Sequence, residues 1–280
     1  MSAAHGHPDR ARSKGGRFVR AYVPLTLLGC ASLLGVVPLL APAVESLRLR
    51  PEFASLPDAG LYAVLLAQPA ILLLLLTALG LALADKAGLR ALVADAARGR
   101  PLQPAPARAT GRLAAVTVVA AVLVLVVDAA LARAYPHAFA SVPPASAVPP
   151  LARLGALLYG AVAEELMLRL GVMTVLVALV RRLFAAAFAR NPGLVVWPAI
   201  AASAVLFGVL HLPALAGVAP LTVPLVVRTI MLNAALGLLF GFAYWRYALE
   251  YAMFSHALVH VVFGVAGAVT AGAAPTLLGP

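Results

Sequence analysis

A short set of polar residues stands inside long apolar runs of this sequence: Asp128, Glu164, Glu165, Arg169, His211, Arg228, Asn233, His256 and His260. An ionisable side chain in lipid is costly enough that it usually faces the interior of a helix bundle and has a task there. The richest stretch reads Ala161-Val-Ala-Glu164-Glu165-Leu-Met-Leu-Arg169. Neighbours on a helix point about 100° apart, so the two carboxylates cannot share one direction. Glu165 and Arg169 are spaced i,i+4 with the acid N-terminal, the better orientation for a helical ion pair. That pairing predicts an oriented, ionised Glu165 and leaves Glu164 facing elsewhere as a candidate general base. His256 and His260 stand one turn apart, which puts both imidazoles on one helical face. A helix offers two nitrogens to one metal ion or one substrate group by that spacing. His211 closes the segment Phe207-Gly-Val-Leu-His211-Leu-Pro213 at an expected helix end, where a histidine taken alone is an interfacial or capping residue. The plainer readings are a structural ion pair for the acids and arginine, and core histidines bonded to backbone or water. The His-Glu-x-x-His signature of soluble zinc proteases is absent, so any metal or water site has to be assembled between helices.

The elements that must position these residues are membrane spans. Hydrophobic residues make up 63% of the chain and charged residues 11%, against roughly 25% charged in an ordinary soluble domain. A soluble fold that poor in charge could not cover its surface. The fold expected is all-α, a polytopic transmembrane helix bundle of about seven spans. They are placed near residues 21–44, 60–84, 113–132, 154–180, 194–213, 221–245 and 249–271. The basic start and the Ala41-Pro42-Ala43 end of the first run resemble a signal peptide. Its apolar stretch exceeds the usual 7–15 residues, so an uncleaved first span is expected. Residues 86–112 form a polar connection with Gly99, Pro101, Pro104 and Pro106, and residues 135–150 form a proline-rich break. The division expected is a basic N-terminus at 1–20, N-terminal helices at 21–150 and a site-bearing region at 151–271.

Charge placement sets orientation and excludes one class of partner. The net charge is +11, yet the cations cluster beside apolar runs without the interleaved aromatics of a nucleic-acid stacking platform. Residues 1–20, 86–112 and 181–190 with Arg246 hold most of the 21 Lys and Arg residues. The alternate connections hold only Arg48, Arg50, Arg133 and Arg153. The positive-inside rule then predicts a multi-pass protein of the cell membrane with a cytoplasmic N-terminus. Tyr244, Trp245, Tyr247 and Tyr251 read as an interfacial aromatic belt. Asp128 and Arg228 could pair between helices or snorkel separately, and Asn233 could bond across helices. Gly237-x-x-x-Gly241 reads as helix packing. The only cysteine, Cys30, allows neither an intramolecular disulfide nor a cysteine metal site.

Taken in order, Glu164-Glu165-x-x-x-Arg169, Phe207-x-x-x-His211 and His256-x-x-x-His260 resemble the CPBP family of intramembrane proteases. That family includes the CAAX endopeptidases and bacterial Abi-type or bacteriocin-immunity homologues. The resemblance spans roughly residues 150–265. It implies an endopeptidase in which Glu164 and His211 activate water, Glu165 and Arg169 orient the site, and His256 and His260 stabilise the oxyanion. It also implies a membrane-associated peptide or protein as substrate, beside membrane lipid. His260 departs from the pattern, because the family has Asn or Asp there. A neutral imidazole still donates one hydrogen bond, and it ligates a metal better than Asn does. A divalent ion such as zinc, held by Glu164, His211, His256 and His260, is therefore left open beside glutamate-dependent chemistry. So is a non-catalytic immunity or scaffold role; a proton-coupled transporter would favour paired repeats with broken helices, and none is seen. The spans put His211 near the outer end of one helix and His256 nearer the inner third of another. A bend near Pro198 or Pro213 must bring them to one depth. A separation beyond about 10 Å would defeat shared chemistry.

Overall fold

The structure, a computed structural model, describes residues 8–143 and 147–273. The first seven residues of the basic N-terminal segment and residues 144–146 of the proline-rich break lie outside the described residues. Every element among the described residues is helical. They run α1 (Pro8–Leu33), a 3-10 turn (Leu34–Leu39), α2 (Ala41–Arg48), α3 (Asp58–Ala87), α4 (Leu92–Ala97), α5 (Ala107–Ala134), α6 (Pro136–Phe139) and α7 (Pro150–Leu158). Two π-helical stretches follow, Tyr159–Glu164 and Leu166–Met173. The chain ends in α8 (Thr174–Leu183), α9 (Ala185–Arg190), α10 (Pro192–Val209), α11 (Leu212–Ala216), α12 (Val223–Arg246) and α13 (Leu249–Ala273).

Six of these helical segments are long and apolar enough to cross a membrane. The seventh is the run from Pro150 to Leu183, which stays helical throughout but changes from α to π and back around its charges. Backbone polar groups in lipid have to be satisfied within the segment, which is why spans of this composition are helices. The molecule wears its apolar residues outward: Leu27, Leu75, Val119 and Val126 are all more than half exposed. The interior is equally apolar, with Leu25, Leu73, Leu166, Leu170, Ile200 and Phe240 fully buried.

Glycines set how closely the helices cross. A Cβ on Gly80 of α3 would fall on the Leu170 carbonyl oxygen, and one on Gly171 would lie 2.6 Å from Leu76 Cβ. The second π-helical stretch therefore lies backbone to backbone against α3. Gly237 and Gly241 do the same for α12 on α10, where added Cβ atoms would stand 3.0 Å from Ala204 and 2.8 Å from Ile200. Packing, the expected reading of that glycine pair, is what it does.

Several expectations change in three dimensions. The first span does not run on to Val44: α1 gives way at Leu34 to a 3-10 turn containing Pro38, whose ring removes the N–H a continuing helix needs. The connection at 86–112 is only partly polar, because Leu89 and Ala91 before α4 and Ala94 within it are drawn into the core. Tyr244 is no belt residue: it is fully buried and its hydroxyl shares a 2.9 Å hydrogen bond with Thr174. Asn233 does not bond across helices; its Nδ2 donates to the Thr229 carbonyl one turn earlier in α12 at 2.8 Å. Asp128 and Arg228 do pair, in a bidentate contact of 2.6 and 2.8 Å that ties α5 to α12.

Candidate active site

The acids sit on the π-helical part of the fourth span. In π winding the backbone bonds run i to i+5, one residue wider than in an α-helix, and such turns gather at functional sites. Here the wide turns place the adjacent acids in different environments. Glu165 is fully buried, with Oε2 3.2 Å from Arg169 Nε and Oε1 2.8 Å from His256 Nδ1 of α13. Glu164 faces a cavity instead, its side chain 18% exposed. Arg169 is fully buried as well. Its Nη2 donates to the Gly237 carbonyl at 3.2 Å, and its guanidinium lies over Phe207 at 4.8 Å and Phe240 at 5.4 Å. The charge is thus held by one carboxylate, one carbonyl and two aromatic faces, the contacts that a dry interior allows a cation.

The histidines arrive from two other helices. His256 is sandwiched: Phe240 stacks on one face at 4.5 Å and His260 on the other at 5.1 Å. Its Nε2 lies 3.9 Å from Glu164 Oε2. His211 follows the end of α10, and its Nδ1 bonds the Phe207 carbonyl at 2.7 Å. Phe207 then touches both rings edge-on, His211 at 4.6 Å and His256 at 5.7 Å. The helix ends at Val209, four residues before Pro213, whose ring has no N–H to donate to the Val209 carbonyl, and this break brings His211 to the others.

The partners determine the tautomers. A carbonyl oxygen only accepts, so His211 Nδ1 carries its proton; an ionised Glu165 only accepts, so His256 Nδ1 carries one too. When neutral, both rings turn an unprotonated Nε2 away from those bonds. His256 in this state has no N–H to offer an oxyanion, which differs from the donor role that the motif suggested for it.

Glu164, His211, His256 and His260 all line one cavity of about 330 Å³. Glu165 and Arg169 lie behind it, as supports. Two further lining residues were given no part in the site by the sequence: Gly160 was not singled out, and Asn233 was read only as a helix-to-helix contact. Gly160 precedes Glu164 by four residues, and a Cβ there would stand 2.8 Å from His260 Nε2 and 2.9 Å from His256 Nε2. Only a bare backbone leaves room for both imidazole edges. The spacing to Glu164 was the one available signal, and it is unremarkable in a span full of small residues. Asn233 is the other, placed at the cavity wall by α12.

The donor set suits a cation in kind: two imidazoles with Nδ1 engaged by an acceptor, the arrangement of metal-bound histidines, and a carboxylate. It does not close on a point, since no group of three His, Cys, Asp or Glu among the described residues is near enough to hold a metal ion.

Comparison with known proteins gives a match to one family model. Residues 146–262 match the type II CAAX prenyl endopeptidase Rce1-like family, and this interval contains Glu164, Glu165, Arg169, His211, His256 and His260 as well as Gly160 and Asn233. No curated protein and no solved structure matches the chain. The three motifs, their meeting in one intramembrane cavity and the family match agree, and the region 146–262 of this multi-pass membrane protein is similar to the Rce1-like type II CAAX prenyl endopeptidase family.

Proposed function

We propose that this protein is an intramembrane endopeptidase that hydrolyses a peptide bond with water activated by Glu164. The observation that carries the reading is the chain Arg169–Glu165–His256–Glu164, in which a buried ion pair orients an imidazole whose free nitrogen faces a carboxylate at 3.9 Å. Water in the cavity gives its proton to Glu164 as its oxygen bonds the scissile carbonyl carbon. His256 Nε2, unprotonated and next to Glu164, takes that proton and delivers it to the leaving nitrogen as the C–N bond breaks. The oxyanion needs donors aimed at it in a dry site. His260, with a ring nitrogen at the Gly160 gap, and the Asn233 amide are the groups assigned to it. His211 Nε2 accepts a hydrogen bond from the attacking water and orients it. The test is cleavage of a membrane-peptide library by purified protein, with metal content measured on the same sample. No cleavage by well-folded protein would favour the non-catalytic immunity or scaffold role.

A second reading rests on the same tautomers. Glu164, His211, His256 and His260 would hold a divalent ion, zinc first, only by moving closer together than they stand here, and such an ion would lower the pKa of its water toward neutrality. Stoichiometric metal lost on His256→Ala would support it. Metal-free protein that cleaves at full rate would end it.

Gly160→Ala separates positioning from folding. Alanine is the better helix former, and that gain offsets part of the cost of crowding the imidazoles, so only a small fall in melting temperature in detergent is expected. The added methyl has to push imidazoles already clamped by Phe240 stacking. A displacement near 1 Å costs about 10²-fold in rate, and that loss in kcat is the expected result.

The cavity also bears on which substrates can reach it. Part of its lining comes from ends remote from the cation clusters, namely the turn after α1, the first turns of the fourth span and the segment beyond α10, while Phe240 and His256 reach it from the halves of α12 and α13 nearer those clusters. The opposite, cation-rich end is tied shut. Glu250 accepts from the Leu92 and Val93 amides at 2.8 and 2.9 Å, the Leu249 amide donates to the Arg90 carbonyl at 3.0 Å, and the Ala105 amide donates to Tyr251 Oη at 2.7 Å. With cations on the cytoplasmic side, peptides enter from the extracytoplasmic half of the membrane. Lipid-modified cytosolic chains of the kind in the family's name are then not the substrate. In a Cys30→Ser background, Ala214→Cys at the mouth is expected to react with an impermeant maleimide in intact cells. Leu102→Cys is expected to react only after permeabilisation. The reverse pattern would reverse the orientation and leave the hydrolase reading standing.

A further inference from the structure

We infer that a cleft at the cation-rich end of the bundle, between the end of α3 and the α8–α9 corner, is a binding site for the phosphate headgroup of an anionic phospholipid. The cleft has a volume of about 930 Å³, and Lys86, Arg181 and Arg182 line it above an apolar floor that includes Leu83, Leu179 and Phe188. It stands apart from the candidate active site and shares no lining residue with it.

Charge compensation distinguishes these three cations from their neighbours on the same face. Arg90, Arg98 and Arg100 are each paired with Asp85 or Asp95. Among the described residues, no carboxylate lies within 4.0 Å of Lys86, Arg181 or Arg182. Arg181 is held in place without being neutralised. Its Nη1 donates to the Lys86 carbonyl at 2.8 Å, and its guanidinium lies over the Phe188 ring at 4.5 Å. The carbonyl is available because α3 stops at Gly88, whose left-handed φ of 73° turns the chain away. Lys86 and Arg182 reach into the cleft from exposed positions on either side.

This pattern fits a particular ligand. Three uncompensated cations at the end of membrane spans call for a phosphodiester, and Arg presents the planar donor fork that suits it. The apolar floor, continued along the spans by Leu79 and Leu179, each 50% exposed, offers the surface that acyl chains need. Basic clefts between spans on the cytoplasmic side recognise anionic headgroups in this way. A free phosphate would find the cations but make no use of the floor.

The experiment adds phosphatidylglycerol, phosphatidylcholine or inorganic phosphate to detergent-purified protein and reads lipid retention by native mass spectrometry and the melting temperature. Phosphatidylglycerol is expected to be retained and to raise the melting temperature, while the other two leave both unchanged. The double variant Lys86→Gln/Arg182→Gln, at exposed positions that leave the Arg181 contacts intact, is expected to bind it about tenfold more weakly or worse. Adding Arg181→Gln is expected to remove the remainder. Equal retention by wild type and double variant, or equal retention of phosphatidylcholine, would overturn the site. An equal rise with inorganic phosphate would overturn its assignment to a lipid.

Discussion

Glu164→Gln is expected to lower peptide hydrolysis by about 10²–10⁴-fold, the usual worth of a positioned general base, while leaving the melting temperature close to that of the wild type. Glutamine keeps the shape of the side chain and loses only its ability to take a proton from water. Glu164 is partly exposed in the cavity, and its closest ionic contact is His256 Nε2 at 3.9 Å, so little packing or pairing energy depends on it. The two readouts together decide between roles. A scaffold or immunity protein would tolerate the change in its function, whereas a protease would not. Retained cleavage at more than about a tenth of the wild-type rate would exclude Glu164 as the base and move attention to His256.

The largest loss of stability is expected at the ion pair behind the site. Arg169→Leu leaves Glu165 buried at 0% exposure beside its other partner, His256 Nδ1. Removing one member of a buried pair strands the other, at a cost of about 3–5 kcal/mol. Thermal unfolding in detergent should register this as a large fall in melting temperature. The double variant Glu165→Leu/Arg169→Leu should recover part of it, because replacing both members by apolar groups is close to neutral or stabilising. Recovery of stability is not recovery of activity: His256 loses the carboxylate that holds its tautomer, and hydrolysis should stay low. A single Arg169→Leu variant as stable as the wild type would mean that Glu165 is neutral or hydrated, and would remove the basis for orienting His256.

Much of the local geometry was legible in the residues. The spans follow from the cost of exposing backbone to lipid, which composition alone reports. The Glu165–Arg169 pair and the shared face of His256 and His260 are relations along one helix, set by its winding and therefore by spacing. The pairing of Asp128 with Arg228 was readable as an option, because a charge in a span needs a partner and few were on offer.

Relations between helices were not legible in the same way. That Glu165 has a second partner in His256, that Gly160 yields the space both imidazoles occupy, and that Asn233 stands at the cavity wall all depend on which faces meet. Those faces are chosen by close backbone crossings such as Gly80 on Leu170 and Gly237 on Ala204, where glycines among many similar small residues happen to coincide in space. The π winding around Glu164 and Glu165 belongs to the same class, since no residue type marks it in advance. The sequence by itself determined a membrane bundle and the kinds of group available for chemistry, because lipid penalises each residue one at a time. Only the tertiary structure decided which groups share one cavity and which stand behind it, because packing acts on pairs of residues far apart in the chain.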